Sequence, residues 1–378
     1  MLYHLAEAFP FAPWSLFRYV TFRAGGALLT ALLLSWCLGP RIIHWLRELK
    51  FRQDYQPKDV KGATDATAQA ADLAKRGTPT MGGVLIVLSV DLSILLWARW
   101  NPLVILVLVT FVIFSGLGLY DDWMKVSKQT AAGVTSRLKL LVQWGVAGGV
   151  VAYLWGLPQG RELVTELNLP FVAAKAAYLT GAAAAIAAVT VSVLTIVGSS
   201  NAVNLTDGMD GLATGCMIIC TAVFLVLTYV SGHAKLAREL LMPAVPGAGE
   251  LAVVCGALLG AGLGFLWFNA HPAEVFMGDT GSLALGGALG VMAVCIHQPF
   301  TLVLAGGVFV AEALSVILQV GWFKYTRRRT GQGRRIFLMS PLHHHFRKKG
   351  WAEAKIVTRF YIAAILCGVL ALSTLKIR

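Results

Sequence analysis

Ten apolar stretches govern what this chain can become: residues 23 to 46, 80 to 98, 102 to 120, 138 to 156, 174 to 197, 211 to 231, 249 to 268, 283 to 297, 301 to 323 and 356 to 375. A hydrocarbon core of ~30 Å takes roughly 17 to 25 residues of helix, and a helix satisfies its own backbone groups where water is missing. Composition agrees. Hydrophobic residues make up 57% of the 378 and charged residues only 13%, mean hydropathy is +0.69, and soluble domains carry about 25% charge. A soluble globular protein is excluded. The expectation is one all-α, polytopic integral membrane domain over residues 1–378, with about ten transmembrane helices and no soluble appendage. No internal repeat or low-complexity tract interrupts it.

The shortest stretch, 283 to 297, carries Gly286 and Gly290, and the seventh carries Gly256, Gly260 and Gly264; this spacing suits close helix packing. The opening "MLYHLAEAFPFAPWSLFRYV" lacks the basic start and unbroken apolar core of a signal peptide. With Pro10 and Pro13 it reads as an interfacial, retained segment. Lys and Arg gather in the loops after spans one, three and nine, as in "KYTRRRTGQGRR". The positive-inside rule then places five loops in the cytoplasm and both termini in the periplasm. Much of the +13 net charge is topological and attracts anionic lipid; nucleic acid is the weaker use of it. The six cysteines show no CxxC pairing and read as free, buried small hydrophobes.

The informative residues are the polar ones of the inner loops. Loop one ends in "KRGTPTMGG", where Lys75 precedes Thr78, a candidate N-cap, and Pro79, a candidate helix start; such an N-terminus beside a lysine suits an anion, or is an ordinary capped start. Loop two holds "YDDWMK". Asp121 and Asp122 repel one another and lose hydration if buried, so they call for a cation such as hydrated Mg²⁺, or form a solvated helix end capped against Lys125. In "SSNAVNLTDGMDGLATG", Asn201, Asn204, Asp207 and Asp210 recur every three residues, a polar stripe if helical, with two Asp-Gly pairs that signal a turn. Loop four, "WFNAHPAEVFMGDTGSLALGG", offers Asn269, His271, Asp279 between glycines, Thr280 and Ser282. Its Phe276 is either a stacking face for a ring or a membrane-edge aromatic. Loop five contains "SPLHHHFRKKG"; His343, His344 and His345 lack the i, i+4 spacing of helical zinc sites and read as a phosphate-contacting or structural imidazole cluster. Together these groups suit Mg²⁺-assisted phosphoryl transfer between a charged nucleotide and a lipid.

The motifs "KRGTPTMGG", "DDWMK", "NAVNLTDGMDGLA", "FMGDTGSLALGG" and "PLHHHF", in this order, resemble those of the phospho-N-acetylmuramoyl-pentapeptide transferases. These belong to the polyprenyl-phosphate N-acetylhexosamine-1-phosphate transferase superfamily. The similarity runs from "YVTFRA" to the final "STLKIR". It implies transfer of phospho-N-acetylmuramoyl-pentapeptide from its UDP carrier to undecaprenyl phosphate, giving lipid I and UMP, the first membrane step of peptidoglycan synthesis. It also implies Mg²⁺, a bacterial inner membrane, a cytoplasm-facing site and a homodimer.

Residue by residue, the resemblance makes Asp121 and Asp122 the acid pair, with Asp121 as base or orienter of the lipid phosphate, and Asp279 the Mg²⁺ ligand. Lys75, Asp207 and Phe276 match the nucleoside pocket, with Phe276 stacking on uracil. Asn201, Asn204, Asn269, Thr80 and the His343, His344 and His345 run match cleft residues that contact phosphate or sugar, His343 among the catalytic set and Asp210 among the substrate contacts. Arg347 departs from the pattern, since family members often carry an acid there. A phosphate monoester has its second pKa near ~6 and an ordinary Asp near ~3.9, so proton transfer to Asp121 is uphill by about 3 kcal/mol. Electrostatic organisation therefore ranks above base catalysis for the acid pair.

Two carboxylates fall outside the motifs. Asp91 and Glu312 lie mid-span, where such groups are functional candidates or interior hydrogen-bonders. Alternative functions are transfer of a different N-acetylhexosamine 1-phosphate, which "PLHHHF" argues against, and proton-coupled transport, which would line carboxylates across the membrane rather than cluster them in loops of one side.

Overall fold

A computed structural model describes residues 1–8, 14–49, 77–128, 133–157, 171 and 182–376. Lys75 and residues 174–181 of the expected fifth span lie outside them. Every element among the described residues is helical. A short α1 (Leu2–Ala8) and a 3₁₀ turn (Trp14–Arg18) precede α2 (Val20–Glu48). Then follow α3 (Gly83–Trp97), α4 (Pro102–Ser127), α5 (Ser136–Gly156), α6 (Ala182–Thr206) and α7 (Leu212–Ser231). After the short α8 (Ala234–Glu239) come α9 (Gly249–Asn269) and α10 (Gly278–Cys295). The chain closes with α11 (Pro299–Ala305), α12 (Gly307–Thr330), α13 (Leu342–Lys348) and α14 (Glu353–Ser373). Among the described residues nine helices are long and apolar enough to cross a membrane, and the fifteen-residue α3 is a shorter apolar tenth. Ten spanning segments were expected, and ten helices occupy their places.

Two helices form the centre. Most of α9 and α10 is buried, while less than a third of α2, α12 and α14 is, as expected where lipid is the solvent. Glycine makes the burial of α9 and α10 possible. A Cβ at Gly256 or Gly260 would run into the carbonyl oxygens of Ala24 and Leu28 on α2, and one at Gly286 into the Ser199 carbonyl of α6. Backbones that approach this closely gain dispersion contacts that larger residues would forbid.

Several expectations need correction. Thr78 does not cap a helix and Pro79 does not start one: α3 begins at Gly83, after Met81 at φ 71°. Residues 79 to 83 instead bond to the backbone of the distant 276–277 segment. The Phe276 N–H donates to the Pro79 carbonyl at 2.9 Å, and the Gly82 and Gly83 N–H groups donate to the Phe276 and Met277 carbonyls, each at 2.8 Å. The third span runs on to Ser127, so Asp121 and Asp122 sit inside a helix, not at its end. The eighth begins at Gly278, which places Asp279 in its first turn. All six cysteines are free, but Cys37 is exposed and Cys367 only partly buried.

Candidate active site

The site forms where α4, α5, α6 and α10 meet, and it starts from the geometry of one carboxylate pair. Successive helical residues point about 100° apart, so Asp121 and Asp122 serve two different partners. Asp122 Oδ2 accepts from the Thr280 N–H at 3.0 Å and from its hydroxyl at 2.8 Å, tying α4 to the first turn of α10. Asp121 Oδ1 accepts from the Val134 N–H at 2.6 Å, and Oδ2 faces Lys125 Nζ at 2.6 Å and Lys139 Nζ at 2.9 Å. Asp279 completes the cluster: Oδ2 lies 2.5 Å from Lys139 Nζ and 3.3 Å from Lys125 Nζ, and Oδ1 accepts from Asn204 Nδ2 at 2.9 Å.

Glycine again sets the approach. Gly278 has φ 73°, and a Cβ there would lie 2.6 Å from Asp122 Oδ2 and 3.1 Å from the Thr80 hydroxyl. Thr80 is buried, and its hydroxyl has no hydrogen-bond partner among the described residues. At Gly118, one turn before the acid pair, a side chain would strike the Asp279 carbonyl.

The asparagines and aspartates of the third motif divide between helix and turn, so both readings of that stretch apply. Asn201 and Asn204 end α6. Asn201 Nδ2 donates to Gln143 Oε1 at 2.8 Å, linking α6 to α5, and Asn204 also donates to the Ser282 hydroxyl at 2.9 Å. Asp207 lies in the turn that follows. Burial, reinforced by the charges of Asp279 and Asp122, raises its carboxyl to about 7. Asp210 points elsewhere: its Oδ2 meets His271 Nδ1 at 2.9 Å, and its N–H donates to Glu353 at 3.1 Å. Asn269 braces the same turn. Its carbonyl oxygen accepts from the Gly211 N–H and the Thr214 hydroxyl, and its amide donates to the Val275 carbonyl. Phe276 is half-buried on the strap paired with residues 79 to 83.

The histidines separate. His344 and His345 are partly buried. Partial burial and the nearby Lys349 charge lower the His345 pKa, in keeping with its Nδ1 accepting from the Leu338 N–H at 3.1 Å. His343 is wholly buried, on Glu312. Asp91 is half-buried mid-helix, and one of its carboxylate oxygens has no partner among the described residues.

Sequence reasoning missed Lys139, which had no place in any motif. One signal was available. Three clustered carboxylates need cations, and "SRLK" opens the next helix soon after the acid pair in sequence. Gln143, one helical turn further, was missed for want of a charge.

The described carboxylates suit a hard cation. One oxygen each from Asp121, Asp122 and Asp279 lies within 4.8 Å of the others, an all-oxygen set of the kind Mg²⁺ takes together with phosphate oxygens and water. The ammonium groups of Lys125 and Lys139 already lie among these oxygens, so the site attracts positive charge. A buried helical bundle with an acid cluster and two lysines at its helix ends marks the class, a membrane protein whose site suits a divalent cation together with phosphate oxygens.

Comparison with known proteins narrows the class. Residues 104–297 match the family model described as glycosyl transferase family 4, and residues 75–87 match signature 1 of the phospho-N-acetylmuramoyl-pentapeptide-transferases. The chain is 48% identical over 382 residues to the phospho-N-acetylmuramoyl-pentapeptide-transferase of Desulfotalea psychrophila, and 48% identical over 382 residues to that of Opitutus terrae, covering 100% of both chains in each case. It is 49% identical over 369 residues to the enzyme of Solidesulfovibrio magneticus, covering 97% of each. The chain belongs to the phospho-N-acetylmuramoyl-pentapeptide-transferase family.

Proposed function

We infer that this chain transfers phospho-N-acetylmuramoyl-pentapeptide from UDP-N-acetylmuramoyl-pentapeptide to undecaprenyl phosphate, forming lipid I and UMP. Near-50% identity over the whole chain carries this reading, and the acid cluster gives it a mechanism. The distribution of basic loops supports a site on the cytoplasmic face, where the nucleotide is, and the family resemblance supports a bacterial inner membrane. A homodimer is expected from the family resemblance alone.

The reaction brings a phosphate dianion to a diphosphate, so repulsion between anions is the main barrier to contact. Among the described residues of the cluster, Lys125 and Lys139 are the cations that offset it. Asp121 and Asp279 hold both ammonium groups at one point, with Asp122 beside Lys125. Asp121 is engaged through both oxygens, so a role as base or nucleophile requires one of these contacts to be given up first. That supports an electrostatic role for the acid pair. Asp121, Asp122 and Asp279 are also the residues that would hold Mg²⁺, which when bound neutralises diphosphate charge and polarises the phosphorus. Asn204 steers Asp279 through its Oδ1. In this reading Phe276 and Asp207 line the nucleoside side of the site, with Thr80, Asn201, His344 and His345 around the phosphates and sugar; Lys75, outside the described residues, is assigned to the nucleoside by the resemblance alone.

The test is UMP release by purified protein with UDP-N-acetylmuramoyl-pentapeptide, with and without undecaprenyl phosphate and Mg²⁺. Release that needs all three supports the reading. No release with all three present overturns it.

A further inference from the structure

Glu312 sits in the second turn of α12, away from every motif loop in sequence, yet it reaches one of them in space. It is 0% exposed, as is His343. Its Oε1 accepts from the His343 backbone N–H at 3.1 Å, and its Oε2 lies 3.1 Å from His343 Nδ1. His343 is near the start of α13, so the first contact satisfies an N–H that has no partner within its own helix. The second orients the ring, turning its Nε2 edge away from the carboxylate.

What Nε2 faces is the turn that carries Asp207. It has no hydrogen-bond partner among the described residues. A Cβ built on Gly208 would collide with this atom, and would lie 2.9 Å from the ring's Cε1. The ring therefore seats the backbone of Gly208, whose neighbour Asp207 bonds in turn to the backbone of Gly278, beside Asp279. The path runs from α12 through one imidazole to the turn beside the acid cluster.

We propose that Glu312 is a positioning residue for the nucleotide side of the site, acting through the His343 ring on the 207–210 turn. It touches no reacting atom. Its work is to hold the ring edge at the height that sets the Asp207 backbone, and the inference rests on the reading of that turn as part of a uridine-nucleotide pocket. A glycine at 208 is the complementary half of the device, since any side chain there would displace the ring.

The experiment compares Glu312→Ala, Glu312→Gln and Gly208→Ala with the parent. It measures kcat, KM for the UDP substrate, KM for undecaprenyl phosphate, affinity for UMP, and Tm. The alanine at 312 is expected to raise the nucleotide KM about tenfold or more with kcat and the acceptor KM little changed, the signature of lost uniform binding. Glutamine, which can accept from one of the two donors, falls between. Gly208→Ala, approaching from the other side, gives the same nucleotide signature, and the double variant adds less than the sum. A purely structural tie predicts a lower Tm with parent-like nucleotide KM and UMP affinity, and that result overturns the proposal. If Glu312→Ala does not yield folded protein, an unchanged nucleotide KM in Gly208→Ala is enough to overturn it. A parent that neither binds nor releases UMP brings down the functional reading, and this inference with it.

Discussion

Two charge clusters sit at opposite ends of the helical bundle, on different sets of helices, and they are built differently. At the end where α3 finishes and α2 and α9 begin, Arg23 meets Glu250 through two contacts of 2.5 and 2.6 Å. The Arg99 N–H donates to Glu250, Arg23 donates to the Trp97 carbonyl, and both guanidinium groups lie over the Tyr3 ring at 5.0 Å. One acid meets one base, and the pair is closed. At the other end three carboxylates share two ammonium groups, and Lys125, Lys139 and Asp279 keep 25%, 19% and 14% of their side-chain surface. A matched, sealed pair is a fastening. An unmatched cluster with an open side has capacity for a cation and an anion that the protein does not itself supply.

The comparison breaks most visibly under substitution. Asp279→Asn is expected to remove turnover by about a thousandfold or more, the scale for a group that stabilises transition-state charge, while leaving a folded membrane protein of near-parent Tm. Near-normal UMP release from that variant would make the open cluster no more than a second fastening. Glu250→Ala should do the reverse. Leaving Arg23 buried without its partner costs about 3 to 5 kcal/mol of stability, read as a lower Tm or denaturation midpoint, with UMP release per folded molecule close to the parent. Equal losses of activity from both changes would erase the distinction.

Smaller effects sharpen the picture of the open end. Phe276→Ala should weaken UMP binding by about 1 to 3 kcal/mol, as for other stacked bases, while Phe276→Trp retains most of it. Unchanged affinity in the alanine variant would return Phe276 to a membrane-edge role. Asp207 is read through pH. Its carboxyl is raised to about 7 in the folded protein from about 3.9 when unfolded, so folding favours the neutral form. Stability from this group is fully present below the unfolded pKa and is lost as pH rises through about 7. In metal-free protein, Tm should therefore fall less between pH 5 and pH 8 for Asp207→Asn than for the parent. Parallel curves would mean that Asp207 is not held near its carboxylate neighbours.

Much of this was legible in the sequence, for reasons particular residues make plain. Long apolar runs announced the helices because lipid leaves the backbone no alternative, and the glycines at 256, 260 and 264 announced the tightest contact. Helix ends were harder. The runs end where polarity begins, but α4 and α6 continue past Asp121 and Asn201 because the polar residues there are held by partners from other helices. Thr78 and Pro79 gave a clear local signal for a helix start, and long-range pairing with Phe276 and Met277 overrode it. The motif aspartates were visible as charges without a reason to be in a membrane. Lys139 and Glu312 were not assigned, because what gives each its place is a partner 140 or 31 residues away.

The central claim is that the acid pair works by organising charge, and the pH profile of Asp121→Asn tests it most directly. The measurement is UMP release at saturating UDP substrate from about pH 6 to 9, across the range in which the lipid phosphate, with its second pKa near ~6, becomes fully dianionic. The account predicts a loss that persists at every pH, because a neutral amide in place of the Asp121 carboxylate cannot hold Lys125 and Lys139 whatever the phosphate's protonation. Recovery toward parent activity as pH rises would show that Asp121 is needed to remove a proton, and would contradict it.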